Sequence, residues 1–162
     1  MKDQNDTPAG DLELVLSRVV PVPRTAIYRA WTTPDLLREF FVPKPWTIAA
    51  VDIDPRPGGR CNVTMQSPEG EQMPNEGVYL ELVPNERLVF TDAYTEGWVP
   101  TAKPFFTGIL ELSDEDGGTR YTARARHWRA EDKASHEAMG FHDGWGTVLD
   151  QLVEVIRERG LR

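Results

Sequence analysis

Three histidines, one cysteine and the strand-borne aspartates Asp52 and Asp54 hold most of the chemistry this sequence could offer to catalysis or metal binding. Spacing argues against most of it. His136 and His142 are six residues apart, about 120° around a helix, so they cannot grip one ion as an i, i+4 pair does. His127 stands alone on its strand, in "TRYTARARHW", and no metal site is expected. Cys61, in "RCNVTMQ", shares strand parity with Val63 and Met65, which makes it a small buried hydrophobe rather than a nucleophile. Asp52 and Asp54 share one side of a strand, but Arg56 and the turn beside them point to hairpin pairing rather than acid–base work. No Gly-x-Ser-x-Gly elbow, Gly-x-Gly-x-x-Gly run or phosphate loop occurs. His142 is the polar residue best placed for a pocket. It lies about 60° from Trp145 on the helical wheel, where a neutral imidazole could bond a ligand or act as a base near neutral pH.

Composition narrows the partners. The 162 residues carry a net charge of −8 with a pI near 4.9, which argues against nucleic acid and anionic membranes, since both require clustered positive charge. A single cysteine excludes an internal disulfide framework, and no apolar run approaches the ~18 residues of a membrane span. Residues 1–11, "MKDQNDTPAGD", are polar, lack the apolar core of a secretory signal and read as a flexible tail. One domain over 12–162 follows, in a cytoplasmic protein that is a monomer or a homodimer.

The elements that must position these side chains follow from periodicity. "DLELVLSRVV" alternates Leu12, Leu14 and Leu16 against Glu13, Val15 and Ser17, as a half-buried strand does. "RTAIYRAWTTPDLLREFF" places Ile27, Ala30 and Trp31 on one helical face. Thr33 and Pro34 then open a second short helix carrying Leu37, Phe40 and Phe41. From Trp46 to Trp128 come six strands separated by short turn signals, hence antiparallel hairpins. A single long helix is expected from about Lys133 to Arg159, with Phe141, Trp145, Val148, Leu149, Leu152 and Ile156 on its buried stripe and His136 on the far side. The fold class is α+β, a curved antiparallel sheet with the last helix across one face.

Two features of this layout point to a pocket. Gly140, Gly144 and Gly146 crowd the head of the long helix, where each costs about 1 kcal/mol relative to alanine. Gly144 and Gly146 flank the Trp145 stripe, so they would admit neighbouring backbone or let the helix bend. On the strand "TRYTARARHW", the inward parity carries Tyr121, Ala123, Ala125 and His127. Two alanines opposite a tryptophan leave volume. Trp31, Phe40, Phe41, Trp46, Trp98, Phe105, Phe106 and Trp145 cluster where such a cavity would open, with Met65, Phe90, Tyr94, Phe141 and Leu149 completing its wall.

Several stretches in order carry a resemblance. They are "PVPRTAIYRAWTTPDLLREFF", "DIDPRPGGR", "GVYLELVPNERLVFT", "GGTRYT" and "GFHDGWGTVLDQL". From about Leu12 to Leu161 the chain resembles the START-like, helix-grip superfamily, and within it the family named after the activator of the ninety-kilodalton heat-shock chaperone ATPase. Phe40 and Phe41 stand where that family usually carries paired tryptophans. The resemblance implies a sheet gripping a long C-terminal helix, around a cavity that in relatives receives hydrophobic small molecules. It implies little about chemistry, since relatives include carriers, hydrolases, cyclases and co-chaperones. A small-molecule binder with no cofactor is the favoured expectation. A chaperone-directed stress-response role and a hydrolase or cyclase are the alternatives. The family's eukaryotic activators carry a separate chaperone-binding domain for which 162 residues leave no room.

Overall fold

A computed structural model describes residues 12–162; the expected tail over 1–11 lies outside them. The chain order is β1 (Glu13–Val20), α1 (Arg24–Thr32), α2 (Pro34–Leu37), β2 (Thr47–Ile53), β3 (Cys61–Gln66), β4 (Gln72–Asn75), β5 (Val78–Val83), β6 (Arg87–Thr91), β7 (Tyr94–Thr95), β8 (Val99–Pro100), β9 (Phe106–Glu115), β10 (Gly118–His127), α3 (Ala130–Ala138) and α4 (Phe141–Arg159). An antiparallel sheet in the order β1-β10-β9-β6-β5 forms the floor, and β2-β3-β4 forms a second sheet. Backbone bonds from Gly58 N to Tyr79 O (2.8 Å) and from Cys61 N to Gly77 O (2.8 Å) tie the second sheet to β5. The α+β expectation therefore holds, with strand β4 and the short β7-β8 ribbon in addition to the six strands read from turn signals.

Strand parity on β10 sorts as its alternation dictates. Tyr121, Ala123, Ala125 and His127 are buried, while Arg124 reaches Glu13 and Glu111, each at 3.1 Å, on the wet face. The Arg124–Glu111 pair, partly exposed at both ends, adds little stability. Burial of the inner face supplies most of it, at roughly 25 cal/mol per Å² of apolar surface. Leu149, Leu152 and Ile156 of α4 meet Ile27, Ala30 and Trp31 of α1 in one continuous core with the sheet. Gln151, also buried, latches the turn after α2: its amide nitrogen donates to Phe40 O (3.0 Å) and Val42 O (2.8 Å), and its Oε1 accepts from Lys44 N (3.0 Å).

The long helix is two helices. Gly140 adopts φ 96° between α3 and α4, a left-handed conformation that ends one helix and turns the chain before the next. This break resets the helical phase, so His136 is buried rather than outward. Gly144 and Gly146 serve no close approach, since a Cβ built at either would meet nothing within 4 Å.

Candidate functional site

The aromatic residues singled out by sequence form two groups joined by a seam. Trp31 packs edge-on against Phe40 and Phe41, with ring centroids at 5.7 and 5.5 Å, and lies 6.2 Å from Phe90. Phe90 reaches Phe106 at 6.1 Å, and Phe106 reaches Trp145 at 5.8 Å. Gly108 makes the seam possible, because a Cβ there would stand 2.4 Å from the Phe90 ring. Trp46 and Met65 pack half-buried against the main core, and Ala123 and Leu149 lie within it.

At the first group a void of about 10 Å³ is lined by Trp31, Leu37, Phe41, Cys61, Val63, Tyr79, Leu88 and Phe90. That is room for about one water. The ligand-sized cavity expected between sheet and long helix is not open: Ala125 packs against Leu14 and Phe141, and Phe106 and Trp145 close over them. The void lies instead beneath α1 and α2. Phe41, only partly buried, separates it from solvent, and the Gln151 latch holds the backbone on either side of Phe41.

Behind the Trp31 wall of this void, on the side of Tyr121 and Arg18, polar atoms are poorly matched. Trp31 Nε1 is buried without a hydrogen-bond partner, as is Arg18 Nε. Arg18 is paired across the strands with Tyr121, and its Nη2 donates to Gly146 O (2.9 Å) and meets Asp150 (3.1 Å). The Tyr121 phenol lies close enough to Trp31 and Arg18 for both to favour its ionised form, yet burial outweighs them and raises its pKa. Burial likewise pushes the Cys61 thiol up to about 11, against a weaker lowering by a hydrogen bond with Tyr79. Burial therefore favours the neutral thiol of Cys61 over the thiolate. The Tyr79 phenol is raised too, by burial first and by Cys61 second. The arginine could have been anticipated, because Leu14, Leu16, Arg18 and Val20 share one strand parity, and a charge on an apolar parity asks for a partner.

The second group surrounds two histidines. His127 is not alone: its Nδ1 lies 2.8 Å from Leu12 O and its Nε2 lies 2.9 Å from His136 Nδ1. A carbonyl only accepts, so His127 Nδ1 carries the hydrogen; with both rings neutral, His136 Nδ1 donates to His127 Nε2. Rings of Phe105, Phe106, Phe141 and Trp145 stand 5.1, 5.1, 5.4 and 5.9 Å from His136. Burial among them, and then the neighbouring His127, pull the His136 pKa down to about 4. The pairing escaped sequence reasoning because it depends on the helix break at Gly140.

Three expected site residues stand apart. His142 is exposed, with its Nε2 3.8 Å from Glu137. Tyr94 and Trp98 lie on the β7-β8 ribbon, exposed, with ring centroids 5.7 Å apart. Asp52 and Asp54 pair with Arg60 and Arg56, each at 2.7 Å, as hairpin geometry predicts. Among the described residues no cluster of three or more His, Cys, Asp or Glu could hold a metal, and no helix is long and apolar enough to cross a membrane.

Residues 21–157 match the model of the family described as Activator of Hsp90 ATPase homolog 1-like protein. The structure resembles that of protein NE0264 from Nitrosomonas europaea at 41% identity and a TM-score of 0.90, covering 94% of this chain and 98% of that one. Protein Ms6760 from Mycobacterium smegmatis is similar at 26% identity and a TM-score of 0.76, covering 91% and 92%. An AHSA1-like protein from Aeromonas hydrophila, at 18% identity and a TM-score of 0.70 over 93% and 95%, shares the fold. Comparison with curated proteins gives no match.

Proposed function

The chain belongs to the family of Activator of Hsp90 ATPase homolog 1-like proteins, and from that premise we propose that it binds a small hydrophobic molecule at the void beneath α1 and α2. The observation that carries this reading is an apolar wall with one orphaned donor. Trp31 lines the void, and its buried Nε1, which neighbours the Tyr121 phenol, makes no hydrogen bond of good geometry; a buried donor without an acceptor costs about 1–3 kcal/mol. A ligand with an apolar body and one acceptor oxygen, such as a small ketone or ester, supplies what is missing. The void of about 10 Å³ is too small for it as it stands. Admission therefore requires the partly buried Phe41 side chain to swing outward, a local motion that leaves the Gln151 latch on the backbone in place. Micromolar affinity corresponds to about 8 kcal/mol, so several hundred Å² of ligand surface must be enclosed at ~25 cal/mol per Å² once association costs are met.

Thermal-shift titration with apolar ketones tests the reading. Binding should raise the melting temperature of the wild-type chain and vanish in Cys61→Phe, whose ring more than fills the void, while that variant keeps its circular dichroism. Unchanged binding in a folded Cys61→Phe would remove the void from consideration; if that variant does not fold, Trp31→Phe takes its place.

A second reading rests on a different observation. Trp98 and Val99 on the β7-β8 ribbon are 54% and 55% exposed, beside an exposed Tyr94, an apolar projection of the kind that protein partners cover. A chaperone-directed role would use this ribbon. Stimulation of a purified heat-shock chaperone ATPase, lost in Trp98→Ser, supports it; no stimulation by the wild-type chain dismisses it.

A further inference from the structure

The cage around His136 has an unusual division of ownership. Each wall is anchored without help from α3: Phe106 on β9, Phe141 and Trp145 on α4, His127 on β10, and Phe105 through its N–H, 2.9 Å from either carboxylate oxygen of Asp92. The occupant alone belongs to α3. His136 is the one buried residue of that helix, whose other side chains are partly or fully exposed. At its C-terminal end α3 is joined to α4 through exposed Met139 and left-handed Gly140, and around that glycine a Cβ would meet nothing within 4 Å. A helix with one fully buried side chain, flanked by an uncrowded turn, can leave without dismantling the core, because the contacts it loses are few and local.

What His136 does in the cage defines what could replace it. It presents a flat ring to four aromatic rings and one N–H to His127 Nε2 at 2.9 Å. The acceptor lone pair is fixed in place, since Leu12 O holds His127 in the Nδ1–H tautomer. We propose that this cage is a binding site for small planar aromatic molecules bearing one O–H or N–H donor, phenols and azoles, which displace His136 and release α3. His136 is then a tethered competitor, and a ligand must outbind it at the effective concentration its short tether imposes. The donor matters because removing His136 without replacing its N–H leaves His127 Nε2 buried and unpaired, which disfavours donor-free rings by about tenfold or more. This site is distinct from the void at Trp31 and is read through α3, so either reading can fail without the other.

The test uses the full chain, with phenol as probe and toluene as its donor-free counterpart, followed by binding isotherms and amide hydrogen exchange. Phenol should bind the wild-type chain at least tenfold more tightly than toluene, and α3 amides should lose protection as phenol saturates while β10 amides keep theirs. His136→Ala should bind phenol at least tenfold more tightly than the wild-type chain, because the internal competitor is gone. Equal affinity for phenol and toluene, or α3 protection unchanged at saturation, would overturn the proposal. So would binding confined to His136→Ala, which would make the cage a product of the substitution. If that variant does not fold, the exchange measurement on the wild-type chain decides alone.

Discussion

The two aromatic groups at either end of the Trp31–Phe90–Phe106–Trp145 seam differ in how their polar atoms are satisfied. Behind the void's Trp31 wall, Trp31 Nε1 makes no hydrogen bond of good geometry and Arg18 Nε is equally unpaired. At the cage, His127 bonds both ways, to Leu12 and to His136. A buried donor left open marks a place where the chain has not supplied its own partner. A buried acceptor met by a side chain from a loosely held helix marks a place where it has. The first region lacks a partner and the second contains a replaceable one, and this difference directs where each kind of ligand is sought.

Substitutions test the contrast from its most damaging end. Phe40→Ala removes a fully buried ring packed against Trp31 and should cost about 3–5 kcal/mol in urea unfolding; a cost under 1 kcal/mol would mean that the void region is loosely packed. His136→Ala should cost about 1–3 kcal/mol, chiefly through the unpaired His127 acceptor, with α3 amides losing protection before any in the sheet. Uniform loss across all elements would deny α3 its separate status.

Acid offers the same contrast without substitution. The folded-state pKa of His136, about 4, lies below its ordinary 6.5, so between those values the unfolded chain binds more protons than the folded one. Stability that is full above pH 6.5 should therefore fall as pH drops toward 4, with α3 released first. Of the ionisable groups near the cage, His127 alone contacts the His136 ring. Asp92, its own pKa raised by burial, holds Phe105, and Glu137 faces His142 at the exposed edge. His136→Leu should abolish the α3-specific acid release; its persistence would assign the effect to another group. Smaller still, Trp31→Phe should cost less than about 1.5 kcal/mol despite the burial of Trp31, because deleting an unsatisfied donor offsets part of the lost packing. His142→Ala, on an exposed side chain, should change stability by no more than about 0.5 kcal/mol.

Much of the architecture was legible because burial repeats with the period of the element. The alternation of Tyr121, Ala123, Ala125 and His127, and the Leu149–Leu152–Ile156 stripe, placed the sheet face and the helix that covers it. The sites were less legible, since each depends on chain segments far apart in sequence. Periodicity carried across Gly140 turned His136 outward, whereas one left-handed residue there turns it in. Ala125 promised volume that Phe141, Trp145 and Phe106 occupy, and Ala123 is packed into the main core. Cys61, Val63, Tyr79 and Leu88 read as ordinary strand residues, and nothing local reveals that they converge beneath Phe41. Arg18 did leave a sign, a charge on the apolar parity of β1.

The unbonded indole N–H of Trp31 gives the most direct test of a ligand site at the void. In a proton–nitrogen correlation spectrum, with the Trp31 signal assigned by its loss in Trp31→Phe, saturation with a small apolar ketone should shift that resonance downfield while the other indole signals move less. A ketone that binds yet leaves the Trp31 signal unmoved, or a panel of ketones none of which binds, would contradict the account.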